Sequence, residues 1–115
     1  MTRAQWIQAA EESLAAHKEM VAAFAAEIVR EGNAEVERVE FRATAVESLL
    51  GTDNPATGKP HSASSADAAV SQSADYLGRV RHLSEVVADK EKARHLLTYY
   101  RLRAELAIEA MRTRP

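Results

Sequence analysis

The chain has 115 residues and a net charge of −2, and this length gives room for one domain. It has no cysteine, which excludes disulfides, thiol nucleophiles and cysteine-ligated zinc. The near-neutral charge also argues against a general polyanion-binding surface. Hydrophobic residues make up 46% of the chain but aromatic residues only 5%. Because alanine supplies much of the apolar total, this balance favours closely packed helices over a thick globular core.

The N-terminal residues lack the apolar centre of a signal peptide, since Glu11 and Glu12 arrive before any long apolar run. No uninterrupted apolar stretch approaches the length of a membrane span. We therefore expect a cytoplasmic protein that does not contact a membrane.

The first half of the chain has a helical apolar period. Every seventh residue is aliphatic from Ile7 to Ile28, and Ala10, His17 and Phe24 follow three residues later. This is an a/d-type pattern, and it predicts a helix over about 3–50. The pattern resumes after Gly32 with a shift of one residue, at Val36, Val39, Ala43, Val46 and Leu50.

The pair Gly32-Asn33 leaves two alternatives for this helix. Gly-Asn is a common C-terminal signal of helices and predicts a real break. A continuous helix can instead absorb the one-residue shift by a local change in winding. We favour the continuous helix.

A segment rich in turn residues, 51–65, separates the two halves and predicts a loop. It resembles a P-loop only superficially, because Pro60 replaces the magnesium-binding Ser or Thr and no strand precedes it. The loop is longer than a helix connection needs. Its residues Lys59, Pro60 and His61 are therefore our candidates for contact with a partner, with local disorder as the alternative explanation of its length.

The second half predicts a helix over about 66–112. Ser64 is expected to cap its N-terminus, with Asp67 reaching back as in a capping box. An apolar stripe then runs from Val70 to Met111, interrupted by the charged residues 89–92. Residues 1–115 are thus predicted to form a single helical domain.

Folding the chain at the loop places residues whose numbers add to about 116 opposite each other. This sets Glu35 and Glu37 near Arg81 and Arg79, and Glu11 and Glu12 near Arg103 and Ala104. Residues 2–50 carry a net charge of −4 and residues 66–115 a net charge of +2. The opposite signs favour an antiparallel hairpin in this register.

The apolar surface is wider than two helices can shelter, which is typical of bundle helices. We predict an all-α fold, a long antiparallel helical hairpin that assembles into a four-helix bundle or a larger coiled-coil oligomer. A homodimer is the simplest closed form and a tetramer the next; the runner-up is a three-helix monomer broken at Gly32-Asn33. The residues expected to carry assembly form a row, here called the predicted seam: Ile7, Leu14, Val21, Phe24, Ile28, Val36, Val46, Leu83, Val87, Leu97 and Ile108.

No residue pattern predicts a catalytic, cofactor or metal site. None of the four histidines follows a glutamate by three residues, as a di-metal bundle requires, and no zinc-protease motif occurs. His17 lies at a position of the same a/d-type pattern in the first helix, where a packed histidine is more typical than a pH switch. We expect a protein that is not an enzyme and binds no cofactor.

Two function classes follow. The first is a non-enzymatic interaction or assembly protein with an unidentified protein partner. The alternative is a nucleic-acid-binding accessory protein that uses the basic second helix, with Arg94, Arg101 and Arg103 as contacts beside two tyrosines. Interspersed acidic residues make the alternative the less favoured of the two.

The loop 54–66, together with the stretch 102–108 of an Ala/Glu/Arg-rich helix, resembles small uncharacterised helical proteins of bacterial phages and prophages. The resemblance covers less than half of the chain. It implies a phage accessory role, in DNA metabolism or particle assembly, and assigns no function to any single residue.

Overall fold

A computed structural model describes residues 1–113 and contains three helices in this part of the chain. They are α1 (Arg3–Leu49), α2 (Ala63–Ser71) and α3 (Ala74–Arg112). The predicted all-α helical hairpin is confirmed. No helix within residues 1–113 has an apolar stretch that is long enough to cross a bilayer.

Helix α1 begins at a reciprocal cap. The Gln5 backbone N–H donates to the Thr2 hydroxyl at 3.2 Å, and the Thr2 N–H donates to the Gln5 side chain at 2.8 Å, which satisfies two otherwise free donors of the first turn. The helix then continues through Gly32 and Asn33 to Leu49. The alternative of a helix break at Gly32-Asn33 is therefore wrong, because α1 is one continuous helix.

The second helix of the prediction is divided at Gln72 and Ser73, so the expected single helix over 66–112 is wrong. The Ser73 hydroxyl donates to the Val70 carbonyl at 2.7 Å and accepts the Tyr76 N–H at 3.2 Å. One side chain thus satisfies a carbonyl at the end of α2 and a donor at the start of α3. A hydroxyl competing with the backbone in this way explains the division.

The N-terminal cap of α2 is Ser62, not Ser64. Its hydroxyl accepts the Ser65 N–H at 3.2 Å, and the Ser65 hydroxyl accepts the Ser62 N–H at 2.9 Å, which forms a capping box. The sequence offers several serines in succession, and each is a good cap. Asp67 does not take part in this cap, and its carboxylate accepts hydrogen bonds from Arg42 instead.

Substitution of Ser73 by alanine tests this junction. We expect the free energy of unfolding to fall by about 1 kcal/mol, the usual cost of losing a hydroxyl cap, measured by chemical denaturation. Ser84→Ala is the matched control, because that hydroxyl only returns to the Val80 carbonyl inside α3. An equal loss in both variants would contradict the capping role of Ser73.

The contacts divide the chain into two compact units, here called unit 1 (residues 1–29 and 87–113 of the described chain) and unit 2 (residues 30–86). The buried residues of unit 1 are all small: Ala10, Ser13, Ala93, Ala104 and Ala107. Trp6 is half-buried in the same unit. Small side chains let the two helices of this unit pack closely, as the composition predicts.

Unit 2 contains the end of α1, the loop, α2 and the start of α3. Its buried apolar residues are Ala34, Ala66, Val70, Tyr76 and Val86, and Val86 is completely buried. The predicted register is confirmed here at one pair, since the Arg79 guanidinium lies 3.8 Å from the Glu37 carboxylate and stacks over the Phe41 ring. Glu35 pairs instead with Arg38 on its own helix, at 2.5 Å.

Candidate interaction surface

Most of the larger aliphatic side chains of α1 are exposed to solvent. Those that the structure exposes by 38% to 63% are Ile7, Leu14, Val21, Ile28, Val29, Val36, Val39 and, one residue past the helix, Leu50. The α1 residues that are buried are instead Ala10, Ser13 and Ala34. A single chain therefore leaves an apolar face of its longest helix uncovered.

The predicted seam is consequently misplaced as a description of packing inside one chain. Its α1 residues Ile7, Leu14, Val21, Ile28 and Val36 are exposed, while Phe24 and Val46 are half-buried. Its α3 residues are all half-buried: Leu83, Val87, Leu97 and Ile108. As a description of a surface for assembly, the predicted seam stays a prediction.

Helix geometry explains why the buried residues of α1 differ from those of the predicted seam. Ile7 and Ala10 are three residues apart, so their side chains lie about 60° apart around a helix of 3.6 residues per turn. Two neighbouring faces of α1 therefore share the same period. The face that packs inside the chain contains buried Ala10 and Ser13 and half-buried Trp6 and Phe24, whereas the face rich in valine and isoleucine is exposed.

A second exposed apolar patch lies on α3 within unit 1. Tyr99, Leu102 and Leu106 are each more than half exposed and follow one face of the helix. The Arg103 guanidinium donates to the Tyr99 hydroxyl at 3.2 Å and lies 6.0 Å from its ring centre. The patch is short and has a charged edge, unlike the long face of α1.

The loop is held in a defined conformation. The Asn54 N–H donates to the Lys59 carbonyl at 2.7 Å, and the His61 N–H donates to the Thr52 carbonyl at 2.7 Å. Gly58 adopts a φ of +68° between them, a conformation that glycine accommodates without strain. Backbone hydrogen bonds thus hold the two sides of the loop together.

Among the three predicted contact residues of the loop, only Lys59 and Pro60 are exposed. His61 is buried, and its Nδ1 lies 3.0 Å from the Ser65 hydroxyl. The histidine therefore anchors the loop to α2. Contact with a partner stays a prediction for Lys59 and Pro60.

A polar cluster within unit 2 joins all three helices, and no pattern in the sequence indicates it. The Tyr76 hydroxyl accepts hydrogen bonds from Arg38 at 2.8 Å and from Arg42 at 3.2 Å. Arg42 also donates to the Asp67 carboxylate at 2.7 Å and 3.1 Å. The cluster fixes α2 against α1 by directional contacts, since α2 alone is only nine residues long.

The same cluster changes the acidity of the Tyr76 phenol. Burial of the ring raises its pKa, but hydrogen bonds from Arg42 and Arg38 and their positive charges favour the phenolate more strongly. The net result is a pKa below the ordinary value of 10.0. On Glu35, the hydrogen bond from Arg38 likewise lowers the pKa of the carboxyl.

We expect Tyr76 to ionise at a lower pH than an ordinary tyrosine. Because the folded-state pKa is lowered, the contribution of Tyr76 to stability increases as the pH rises through that pKa toward the unfolded value. A spectrophotometric titration of tyrosinate in wild type and Tyr76→Phe isolates the group, and the difference curve should have its midpoint below pH 10.0. A midpoint at or above that value would contradict the cluster as described.

The predicted nucleic-acid contacts do not share one surface. Arg94 and Arg101 are seven residues apart and lie on one side of α3, whereas Arg103 follows Arg101 by two residues and points about 200° away from it. Arg94 is also engaged by Glu91 at 2.6 Å. An electrostatic track along the helix is therefore not formed by these three side chains.

No group of three potential metal ligands comes together within residues 1–113. The exposed apolar face of α1 is the candidate functional surface, because large aliphatic side chains are left exposed along it. Comparison of the chain with protein-family models, curated proteins and solved structures finds no match.

Proposed function

We propose that this chain is a non-enzymatic helical assembly protein that self-associates through the exposed apolar face of α1. The single observation that carries the proposal is the exposure of eight large aliphatic side chains in and next to one helix whose buried residues are alanine and serine. A dimer in the form of a four-helix bundle, or a larger oligomer such as a tetramer, would cover this face.

The energetics support association. Burying apolar surface contributes roughly 25 cal/mol per Å², and alanine offers little of it. The residues with more apolar area, valine, leucine and isoleucine, are left in water along α1. Continuous apolar surface of this kind in a protein marks an interaction site.

The nucleic-acid alternative has less support, because Arg94, Arg101 and Arg103 diverge around α3. A phage accessory role, and a cytoplasmic location, remain predictions of the sequence. Both are compatible with an assembly protein.

Light scattering on a sizing column tests the proposed function. The single chain has a mass of 12.6 kDa, and we expect a mass of at least twice that value at micromolar concentration, decreasing on dilution. A mass of one chain across the whole concentration range would overturn self-association.

A further inference from the structure

The exposed apolar face of α1 has an internal symmetry in its spacing. Seven exposed small or apolar residues from 21 to 43 follow one line along this face, beside Val29, and are separated by four, three, four, four, three and four residues. The central position is Gly32. We call this set the α1 stripe: Val21, Ala25, Ile28, Gly32, Val36, Val39 and Ala43.

We propose that two copies of the chain pair α1 against α1 in antiparallel orientation, with a two-fold axis at Gly32. The proposal rests on the self-association proposed above and specifies its face, orientation and register. In a two-fold interface each residue meets the one equally far from the axis on the other copy. Residues that face each other therefore have numbers that add to 64.

This register matches large side chains with small ones. Val21 faces the partner's Ala43, and Ala25 faces the partner's Val39. Ile28 and the partner's Val36 flank the axis. Alternation of large and small residues fills the space between two helices evenly, whereas a parallel pair would place alanine against alanine at two levels and leave gaps.

Packing inside the chain does not require glycine at position 32. A Cβ added there would meet no atom of another part of the chain within 4 Å, and glycine in a helix interior costs about 1 kcal/mol relative to alanine. Its φ is not among the positive values that would require glycine. On a two-fold axis, two glycines let the helix backbones approach at the centre of the stripe.

The charges beside the stripe also favour the antiparallel orientation. Lys18 and Glu47 are exposed and lie on the same flank of the stripe. In the proposed register Lys18 lies beside the partner's Glu47, and symmetry repeats this attractive contact. A parallel pair in register would instead leave the lysines at one end of the interface and the glutamates at the other, so neither contact would form.

Electron paramagnetic resonance between spin labels tests the orientation. The chain has no cysteine, so Asn33→Cys and Thr44→Cys each give one label per chain, at exposed positions on the same side of α1. For an antiparallel pair, the labels at position 33 are separated by about 3 Å along the helix axis and those at position 44 by about 36 Å. A parallel pair gives the same short distance for both.

Substitution of Gly32 tests the close approach. Gly32→Leu should weaken association by about tenfold or more, because its side chain would occupy the space between the two backbones. Gly78→Leu is the matched control, since Gly78 is an exposed helical glycine of α3 at which an added side chain would also meet no atom within 4 Å. It should leave association unchanged.

The outcomes separate the two proposals. A monomer in the light-scattering experiment overturns self-association itself. An oligomer with equal label distances at positions 33 and 44, or with unchanged affinity in Gly32→Leu, overturns the antiparallel register while self-association stands. A short distance at position 33 and a long one at position 44 supports both.

Discussion

Replacement of Val36 by aspartate is expected to convert the proposed oligomer into a monomer and to leave the helices folded. Val36 is 55% exposed in the single chain, so a carboxylate there costs the fold little. In an assembly that covers α1, the same carboxylate is buried without a partner charge. We expect association to weaken by a factor of at least about a hundred, about 3 kcal/mol.

The measurement combines light scattering with circular dichroism. Asn33→Asp is the control, because it adds the same charge to an exposed position of α1 outside the stripe. It should keep the wild-type mass. A Val36→Asp protein with the wild-type mass would show that assembly, if present, uses another face.

Replacement of Val86 by aspartate is expected to unfold the protein. Val86 is 0% exposed and is the largest side chain that the described residues bury completely. A carboxylate at this position loses its hydration without gaining a partner, which costs several kcal/mol. Such a loss is a large part of the roughly 5–15 kcal/mol that stabilises a typical domain.

Thermal unfolding followed by circular dichroism measures this effect, and Val36→Asp serves as the matched control with the same chemical change at an exposed site. The two variants should behave in opposite ways: Val36→Asp loses mass and keeps helicity, whereas Val86→Asp loses helicity. A Val86→Asp protein that melts like the wild type would contradict the burial of this residue.

The sequence predicts the bounds of α1 to within one residue, since its long period meets only one weak breaker at Gly32. It also predicts the antiparallel register, as the contact of Glu37 with Arg79 confirms. Both predictions use patterns that many residues share. The helix bounds follow from the apolar periodicity, and the register follows from the opposite charges of the two halves.

The sequence does not predict which face of α1 is inside. Hydrophobic periodicity gives most weight to Ile7, Leu14 and Val21, yet Ala10 and Ser13 are buried. It likewise indicates Val87 where the structure buries Val86. Which of two neighbouring faces is buried depends on how closely the opposing helix can pack against each one. That interhelical distance is set by the side chains of both helices.

The polar cluster escapes sequence-based prediction for a related reason. Arg38 and Tyr76 are separated by 38 residues, and nothing local to either residue indicates the contact. Similarly, the serine that caps α2 is selected by the loop, whose hydrogen bond from His61 to Thr52 places Ser62 at the start of the helix. Contacts between residues that are distant in the sequence therefore decide which of the possible local contacts form.

The division into two units has a consequence for spectroscopy. The only tryptophan of the chain is Trp6, and it belongs to unit 1. Indole fluorescence therefore reports the unfolding of unit 1, while far-ultraviolet circular dichroism reports the helices of both units together. Comparing the two transitions in one sample shows whether the units melt cooperatively, without any label or substitution in the chain.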